Sequence, residues 1–319
     1  KETELASPDL GSVPFGGVGR VIPTWKICRT ARDKFQGAIV VPPKTGFYTG
    51  TVSCLDFASL YPSIMRALNM SYETLVTNET IEAMKWKEMV DKEEAVGVRT
   101  IPDFTYENYN FKVTHNKDNP SFVTRTTRLG ILPEILETVL TQRKIVKKQM
   151  KALDPSSTMY SVANGTQLAL KVVANSIYGF TGATFGFLPE KRIASSVTKF
   201  GRYMITQTKD YIENHPTYGR NGSGIECIYG DTDSVFCTIP TSLVSGKTVE
   251  ERMKNAHAFG EKLGKDVNQI FLPPNDLEYE KSYASFLLLK KKRYAGFKYE
   301  PGLPPKLQAK GLECARRDY

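Results

Sequence analysis

Two aspartates, Asp231 and Asp233, lie in the stretch Tyr-Gly-Asp-Thr-Asp-Ser at residues 229–234. Apolar residues on both sides predict two short strands joined by a tight turn. Carboxylates at such a turn repel each other and are costly to bury, whereas Mg²⁺ prefers hard oxygen ligands. The hexapeptide by itself is equally consistent with a solvated acidic turn and with a metal site.

A third carboxylate, Asp56, follows a predicted strand at residues 50–55 and precedes Phe-Ala-Ser-Leu-Tyr-Pro-Ser-Ile-Met. A carboxylate at the carboxyl end of a buried strand, before a helix, is a common position for a functional site. Asp is also a frequent helix cap, which is the simpler reading of the same pattern. The backbone N–H groups of residues 59–61 come at the predicted helix start, where anions bind favourably.

The elements that would position these groups begin with a helical hairpin at residues 133–178, with a turn at 154–157. Arg143 and Lys147 are four residues apart and share a face of the first helix. The second helix places further polar residues on one face: Asn164, Gln167, Lys171, Asn175 and Tyr178. Two cationic faces could hold a triphosphate, although amphipathic helices with solvated lysines explain the pattern equally well.

Periodicity predicts helices at residues 190–215 and 248–268 and strands at 37–41 and 277–281. A short basic helix is expected at 21–34 and a charged, solvated helix at 79–96. The run Lys290–Arg293, followed by Tyr294, suits contact with phosphates and stacking on a base. A solvated basic patch is the alternative.

The composition sets outer limits on the class of protein. The 319 residues are 40% hydrophobic and 24% charged, as in ordinary globular proteins, and the net charge of +9 favours a polyanionic partner. Five cysteines without a Cys-x-x-Cys pair predict neither a disulfide framework nor a zinc site, so a reducing compartment is expected. No signal segment or bilayer-length apolar run is present, which predicts a protein that is not secreted and has no membrane contact.

Four stretches resemble the motifs of family B DNA polymerases, in the order found in that family. They are DFASLYPSI (56–64), KVVANSIYGFTG (171–182), YGDTDS (229–234) and KKRYAG (291–296). The resemblance covers about residues 36–318 and is strongest to the delta-type replicative enzymes and the large-DNA-virus polymerases, including herpesvirus-like ones.

The resemblance implies an α+β fold, with an antiparallel palm sheet carrying helices on one face and an α-helical fingers hairpin. It implies a pre-palm segment at 1–35, a first palm part at 36–127 with an insertion at about 76–120, fingers at 128–188, and a second palm part at 189–319. The family's exonuclease carboxylates and thumb are not recognisable, so the resemblance implies a palm-and-fingers fragment that stops before the thumb.

By the same resemblance, Asp56 and Asp233 would bind two Mg²⁺ ions about 3.5–4 Å apart, with Asp231 beside them in support. Glu280 matches an acidic position near the metals. The residues implied to contact the nucleotide are Ser59, Leu60 and Tyr61 through their N–H groups, and Arg143, Lys147, Lys171, Asn175 and Tyr178. Lys171 would also protonate the leaving pyrophosphate.

The ring of Tyr61 would lie where a ribose 2′-hydroxyl clashes. The residues implied to contact the primer-template duplex are Tyr178, Gly179, Tyr229, Lys291, Lys292, Arg293 and Tyr294. The implied activity is template-directed DNA synthesis from dNTPs in DNA replication, in the nucleus or at a viral replication site, with a processivity factor as a further partner. A nucleic-acid-binding module without turnover and an unrelated metal-dependent phosphoryl enzyme, such as a nuclease, are the competing hypotheses.

Overall fold

The computed structural model describes residues 35–76, 121–123, 125–126, 128–183, 188–299 and 305–312. The helix predicted at 21–34, the charged run at 79–96 and most of the predicted insertion lie outside these residues. Within them, the chain forms an eight-stranded sheet, a two-stranded sheet and five helices.

The strands of the large sheet are β1 (Val40–Val41), β2 (Gly46–Tyr48), β3 (Thr51–Phe57), β6 (Glu226–Asp231), β7 (Ser234–Ile239), β8 (Leu277–Lys290), β9 (Arg293–Tyr299) and β10 (Lys306–Lys310). All its strand pairs are antiparallel, with the order β1-β6-β7-β3-β8-β9-β10 and with β2 paired to β8. The small sheet pairs β4 (Leu75–Val76) with β5 (Ser121–Phe122). Strands before residue 60 and after residue 225 thus share one sheet.

The helices are α1 (Leu60–Ala67), α2 (Ile131–Met150), α3 (Thr158–Gly182), α4 (Lys191–Asn214) and α5 (Val249–Asn268). The predicted helical hairpin is confirmed as α2 and α3, although α2 begins at Ile131, before Pro133. Ser157 caps α3 by accepting from the N–H of Tyr160, and Thr248 and Glu251 form a reciprocal capping box on α5. These caps explain why the two helices begin where the sequence predicts.

Alternation along the strands produces two separate apolar layers. On one face, Leu55, Phe57 and Val235 pack with side chains from α1, α4 and α5. On the other face, residues of β6, β7, β8 and β9 form an aromatic cluster; its largest members are Tyr229, Phe236, Tyr283, Phe286 and Tyr294. The sheet is therefore held rigidly from both sides, which fixes the positions of groups at its edge.

The predicted α+β fold, an antiparallel sheet with helices on one face and a helical hairpin, is confirmed. The exact limits of the four segments (1–35, 36–127, 128–188 and 189–319) stay predictions. In the described part of the chain, every helix is too short or too polar to cross a membrane.

Candidate functional site

Strand register brings the predicted carboxylates to one edge of the sheet. Ser234 on β7 pairs with Asp231 on β6 and with Asp56 on β3. The turn between β6 and β7 is tight, with Thr232 in the left-handed region (φ 59°) and the N–H of Asp233 donating to the carbonyl oxygen of Asp231 at 2.6 Å. The predicted hairpin is thus confirmed, and the strand register places all three aspartates at the same edge of the sheet.

Burial among like charges perturbs two of these carboxylates. The pKa of Asp56 is raised to about 7, first by burial and then by the charges of Asp233 and Glu280. The pKa of Asp233 is raised by burial and by the nearby Asp231 and Glu280. The Lys171 ammonium opposes both shifts. A partly desolvated pair of like charges is therefore held at this edge, and a cation would stabilise its ionised form.

Asp231 has a different environment from its two neighbours. Its Oδ2 accepts a hydrogen bond from Tyr229 Oη at 3.3 Å, and its Oδ1 accepts from Thr232 Oγ1 at 3.1 Å. The Lys292 ammonium lies 3.6 Å from Oδ1. These contacts give Asp231 partners from the protein itself, which fits a supporting role.

Glu280 completes the acidic edge but is already paired. Its carboxylate accepts from the Lys281 ammonium at 2.9 Å and from the Cys54 thiol at 3.4 Å. Burial by itself would raise the pKa of Glu280, but the hydrogen bond and charge of Lys281 outweigh burial and lower it. Glu280 thus stays anionic and adds negative potential near Asp56.

Within the described part, no three His, Cys, Asp or Glu side chains stand together as a ready metal-binding group. The chemistry of the donors nevertheless fits a hard divalent cation. Asp56 and Asp233 offer carboxylate oxygens, and burial together with neighbouring negative charges raises their pKa values, an effect that such a cation would oppose. The residues present therefore fit Mg²⁺ better than a softer metal.

The start of α1 lies beside the carboxylates. Ser59 caps the helix in the left-handed conformation (φ 52°, ψ 56°), and Leu60 and Tyr61 form its first turn. N–H groups of a first turn have no acceptor inside the helix and can bind an anion. The Tyr61 ring lies 4.4 Å from that of Tyr178 on α3, and burial, Tyr178 and Asp233 together raise the pKa of Tyr61 to about 12.

The helical hairpin contributes cations to the same region. Arg143 on α2 donates to Gln167 on α3 at 3.3 Å and reaches the hydroxyl of Ser59 at 3.5 Å. Lys147, Lys171 and Asn175 are exposed on their helices. The structure thus brings Arg143 and Lys171 to the carboxylate edge. Lys147 and Asn175 lie exposed on the hairpin, and their roles in nucleotide binding stay predictions.

The basic run forms a two-residue turn between β8 and β9, with Lys291 and Lys292 at its tip and Arg293 exposed beside them. Tyr294 is 5% exposed and packs in the aromatic cluster, so the predicted stacking on a base needs correction. Tyr229 is fully buried, and its hydroxyl accepts from the N–H of Lys292 at 2.8 Å. Tyr229 joins the basic turn to the acidic turn, because the same hydroxyl also donates to Asp231, and the ring of Tyr294 packs against that of Tyr229.

Sequence reasoning missed Arg202 on α4. Its guanidinium donates to the carbonyl oxygens of Gln36 and Gly37, at 2.7 Å each, close to the hydroxyls of Tyr61 and Tyr178. In the sequence, Arg202 could have been noticed as a positive charge between Phe200 and Met204, which belong to the apolar stripe of a predicted helix. Arg202 thus connects α4 to the segment that precedes β1 and lies next to the Tyr61 and Tyr178 side chains.

An antiparallel sheet with carboxylates at one edge, faced by a cationic helical hairpin, defines the class of polymerase folds built from a palm and fingers. Residues 17–319 match the family model described as DNA polymerase family B, and the chain belongs to this family.

Curated relatives agree with this assignment. The chain is 41% identical over 301 residues to the DNA polymerase delta catalytic subunit of Arabidopsis thaliana, covering 93% of this chain and 24% of that protein. It is 41% identical over 290 residues to the subunit of the same name from Drosophila melanogaster, and 42% identical over 291 residues to that from Caenorhabditis elegans. Each of these two alignments covers 90% of this chain and 24% of the relative. The chain spans about a quarter of the length of the curated relatives it matches.

Proposed function

We propose that the protein carries out template-directed DNA synthesis, transferring deoxyribonucleoside monophosphates from dNTPs to a primer 3′-hydroxyl. The observation that carries the proposal is the edge where Asp56 and Asp233 lie within reach of the Lys171 charge. Phosphoryl transfer of this kind needs anionic metal ligands and cations for the leaving group in one place. Membership of DNA polymerase family B supports the assignment.

Polymerases of this family are metal dependent, and we assign two Mg²⁺ ions to Asp56 and Asp233, with Asp231 in support. When bound, the ions would lower the pKa of the primer hydroxyl and neutralise charge on the triphosphate. Asp56 and Asp233 have the burial and repulsion that such a site requires, whereas Asp231 is held by Tyr229, Thr232 and Lys292.

The remaining residues of the site bind and orient the nucleotide. Arg143, Lys147 and Lys171 would grip the triphosphate, and the first-turn N–H groups of α1 would bind its oxygens. Lys171 would donate a proton to the departing pyrophosphate oxygen. The Tyr61 ring, supported by Tyr178, would exclude a ribose 2′-hydroxyl. Asn175 and Gly179 lie on the exposed face of α3 that the nucleotide and the new base pair would meet.

The basic turn would hold the duplex. Lys291, Lys292 and Arg293 are exposed at its tip, on the hairpin next to the acidic turn, and suit contacts to phosphates. The delta catalytic subunits among the relatives support a role in DNA replication. Action in the nucleus or at a viral replication site, with a processivity factor as partner, is a further part of the proposal and rests on the family resemblance alone.

In the deciding experiment, the natural protein that contains this sequence is incubated with a labelled primer-template, Mg²⁺ and dNTPs. Extension that follows the template is expected. Shortening of the primer without extension would favour the nuclease hypothesis. Duplex binding with no reaction at all would favour a module without turnover.

A further inference from the structure

Gly201 is a buried residue of α4 that lies directly behind the Tyr61 ring. A methyl group added at Gly201 would lie 3.3 Å from Cε1 of Tyr61, 3.5 Å from Cδ2 of Leu60 and 3.7 Å from Cδ1 of Ile64. Glycine is a poor helix residue compared with alanine, so a buried glycine inside a helix usually has a packing reason. Close approach of the Tyr61 ring supplies that reason here.

The helix cannot retreat from such a methyl group. At this point α4 is fixed by hydrogen bonds from Arg202 to the carbonyl oxygens of Gln36 and Gly37, each 2.7 Å long. Thr198 Oγ1, one turn earlier, donates to Gln36 at 2.9 Å. Three hydrogen bonds to one backbone segment therefore hold the helix beside Gly201.

Among the three side chains that the methyl group would meet, the Tyr61 ring has the most freedom to move. Leu60 and Ile64 are 4% and 0% exposed and are enclosed by the core. Tyr61 is only partly buried, contacts Tyr178, and has its hydroxyl within electrostatic reach of Asp233. Overpacking is relieved by the group that can shift, so the ring would move away from α4.

We infer that Gly201 is a specificity-determining residue, because the absence of a side chain there sets how far the Tyr61 ring reaches toward the nucleotide sugar. The inference rests on the proposed function, in which this ring excludes the ribose 2′-hydroxyl. A ring moved forward by a few tenths of an ångström obstructs both sugars, but it obstructs the bulkier ribose more.

The test is Gly201→Ala, measured as kcat/KM for one dNTP and for the ribonucleotide with the same base, in the natural protein. The preference for deoxyribose is expected to rise about threefold to tenfold. Gly182→Ala is the matched control, since its methyl would lie 3.3 Å from Ala194 and Phe35 and is not directed at Tyr61. The control should keep the original preference. An unchanged or lower preference in Gly201→Ala overturns the inference.

The same change in a Tyr61→Ala background distinguishes a contact with the ring from a general structural effect. Without the ring, the added methyl makes only ordinary van der Waals contacts with Leu60 and Ile64, so Gly201→Ala should no longer alter sugar preference. If Gly201→Ala alone fails to fold, restoration of folding by Tyr61→Ala supports the contact, and failure to restore it overturns it. If the unsubstituted protein incorporates no nucleotide, the proposed function is wrong and the inference falls with it. If the unsubstituted protein incorporates nucleotides but Gly201→Ala leaves the sugar preference unchanged, the inference is wrong and the proposed function stands.

Discussion

The N–H of Phe57 donates a hydrogen bond to the carbonyl oxygen of Asp233 across 2.8 Å. This bond joins the end of β3 to the acidic turn, so main-chain geometry holds the backbone of Asp56 next to that of Asp233. Phe57 itself is buried in the helix-covered layer. The sheet therefore fixes the two positions from which the carboxylates extend.

The first prediction concerns catalysis. Asp56→Asn and Asp233→Asn should each reduce nucleotide incorporation by at least about 100-fold, because an amide is a weak ligand for Mg²⁺. Duplex affinity should change little, since it comes mainly from Lys and Arg contacts to phosphates. Primer extension and a binding assay on the same preparations measure both. Near-normal turnover in either variant would show that the replaced carboxylate is not a metal ligand.

The second prediction uses stability, which does not depend on activity. Without Mg²⁺ at neutral pH, Asp56→Asn should raise the unfolding temperature, because it removes a partly buried charge that faces Asp233 and Glu280. The free energy of unfolding of the variant is expected to exceed that of the parent by about 1–3 kcal/mol. Added Mg²⁺ should stabilise the unsubstituted protein more than the variant. A variant that is less stable than the parent in EDTA would contradict the electrostatic account.

Local elements were predictable because they depend on neighbouring residues. The stripe Val197, Phe200 and Met204 is buried as its spacing requires, and the hairpin around Thr232 follows from its flanking apolar residues. The register that places Asp56 beside Asp233 links strands far apart in sequence. Local patterns do not contain that information, so the pairing came from the resemblance to a family.

The burial of Tyr229 and Tyr294 was not predictable for the same reason. Their burial depends on how β8 pairs with β9, and the register between these strands shifts at two places, one of them between Tyr283 and Phe286. Such irregularities change which face a residue occupies. The run Lys290–Arg293 is exposed, as contact with phosphates requires, but neither the turn at Lys291 and Lys292 nor the burial of the following aromatic ring was predicted.

The third prediction concerns sugar choice. Tyr61→Ala should increase the use of ribonucleotides relative to deoxyribonucleotides by at least about tenfold, because it removes the ring that would clash with the 2′-hydroxyl. The measurement is the ratio of kcat/KM for the two sugars. Tyr61→Phe is the matched control and should keep the parent ratio, since the ring is retained. If Tyr61→Ala also keeps that ratio, Tyr61 is a packing residue.

The fourth prediction separates binding from proton transfer. Arg143→Ala should raise KM for the dNTP by about tenfold or more, because it removes one charged hydrogen-bond donor. Lys171→Ala should also lower kcat by about 100-fold, since charge develops on pyrophosphate in the transition state. Lys171→Arg should restore KM better than kcat, because guanidinium is a poor proton donor. Single-turnover kinetics decide the matter, and pure KM effects in all three variants would exclude the proton-donor role.

The last prediction concerns Glu213, a buried carboxylate on the last turn of α4. It accepts hydrogen bonds from Lys209 at 2.9 Å, Arg220 at 2.8 Å and the N–H of Cys227 at 3.1 Å. Burial by itself would raise the pKa of Glu213, but these three donors outweigh burial and hold it below its usual value. The charged form of Glu213 is therefore stabilised by folding, and it joins α4 to β6 just before the acidic turn.

Because the folded-state pKa is depressed, this stabilisation is present above the unfolded-state value of about 4.3 and is lost as pH falls through the folded-state value. Glu213→Gln should lower stability at pH 7 by about 1–3 kcal/mol, and the difference from the parent should shrink below about pH 4. Glu261→Gln is the control, since Glu261 is exposed and its partner His257 is 3.5 Å away. Thermal unfolding between about pH 2 and pH 7 gives the comparison, and a difference that stays constant down to about pH 2 would show that the charge of Glu213 is not what stabilises the fold.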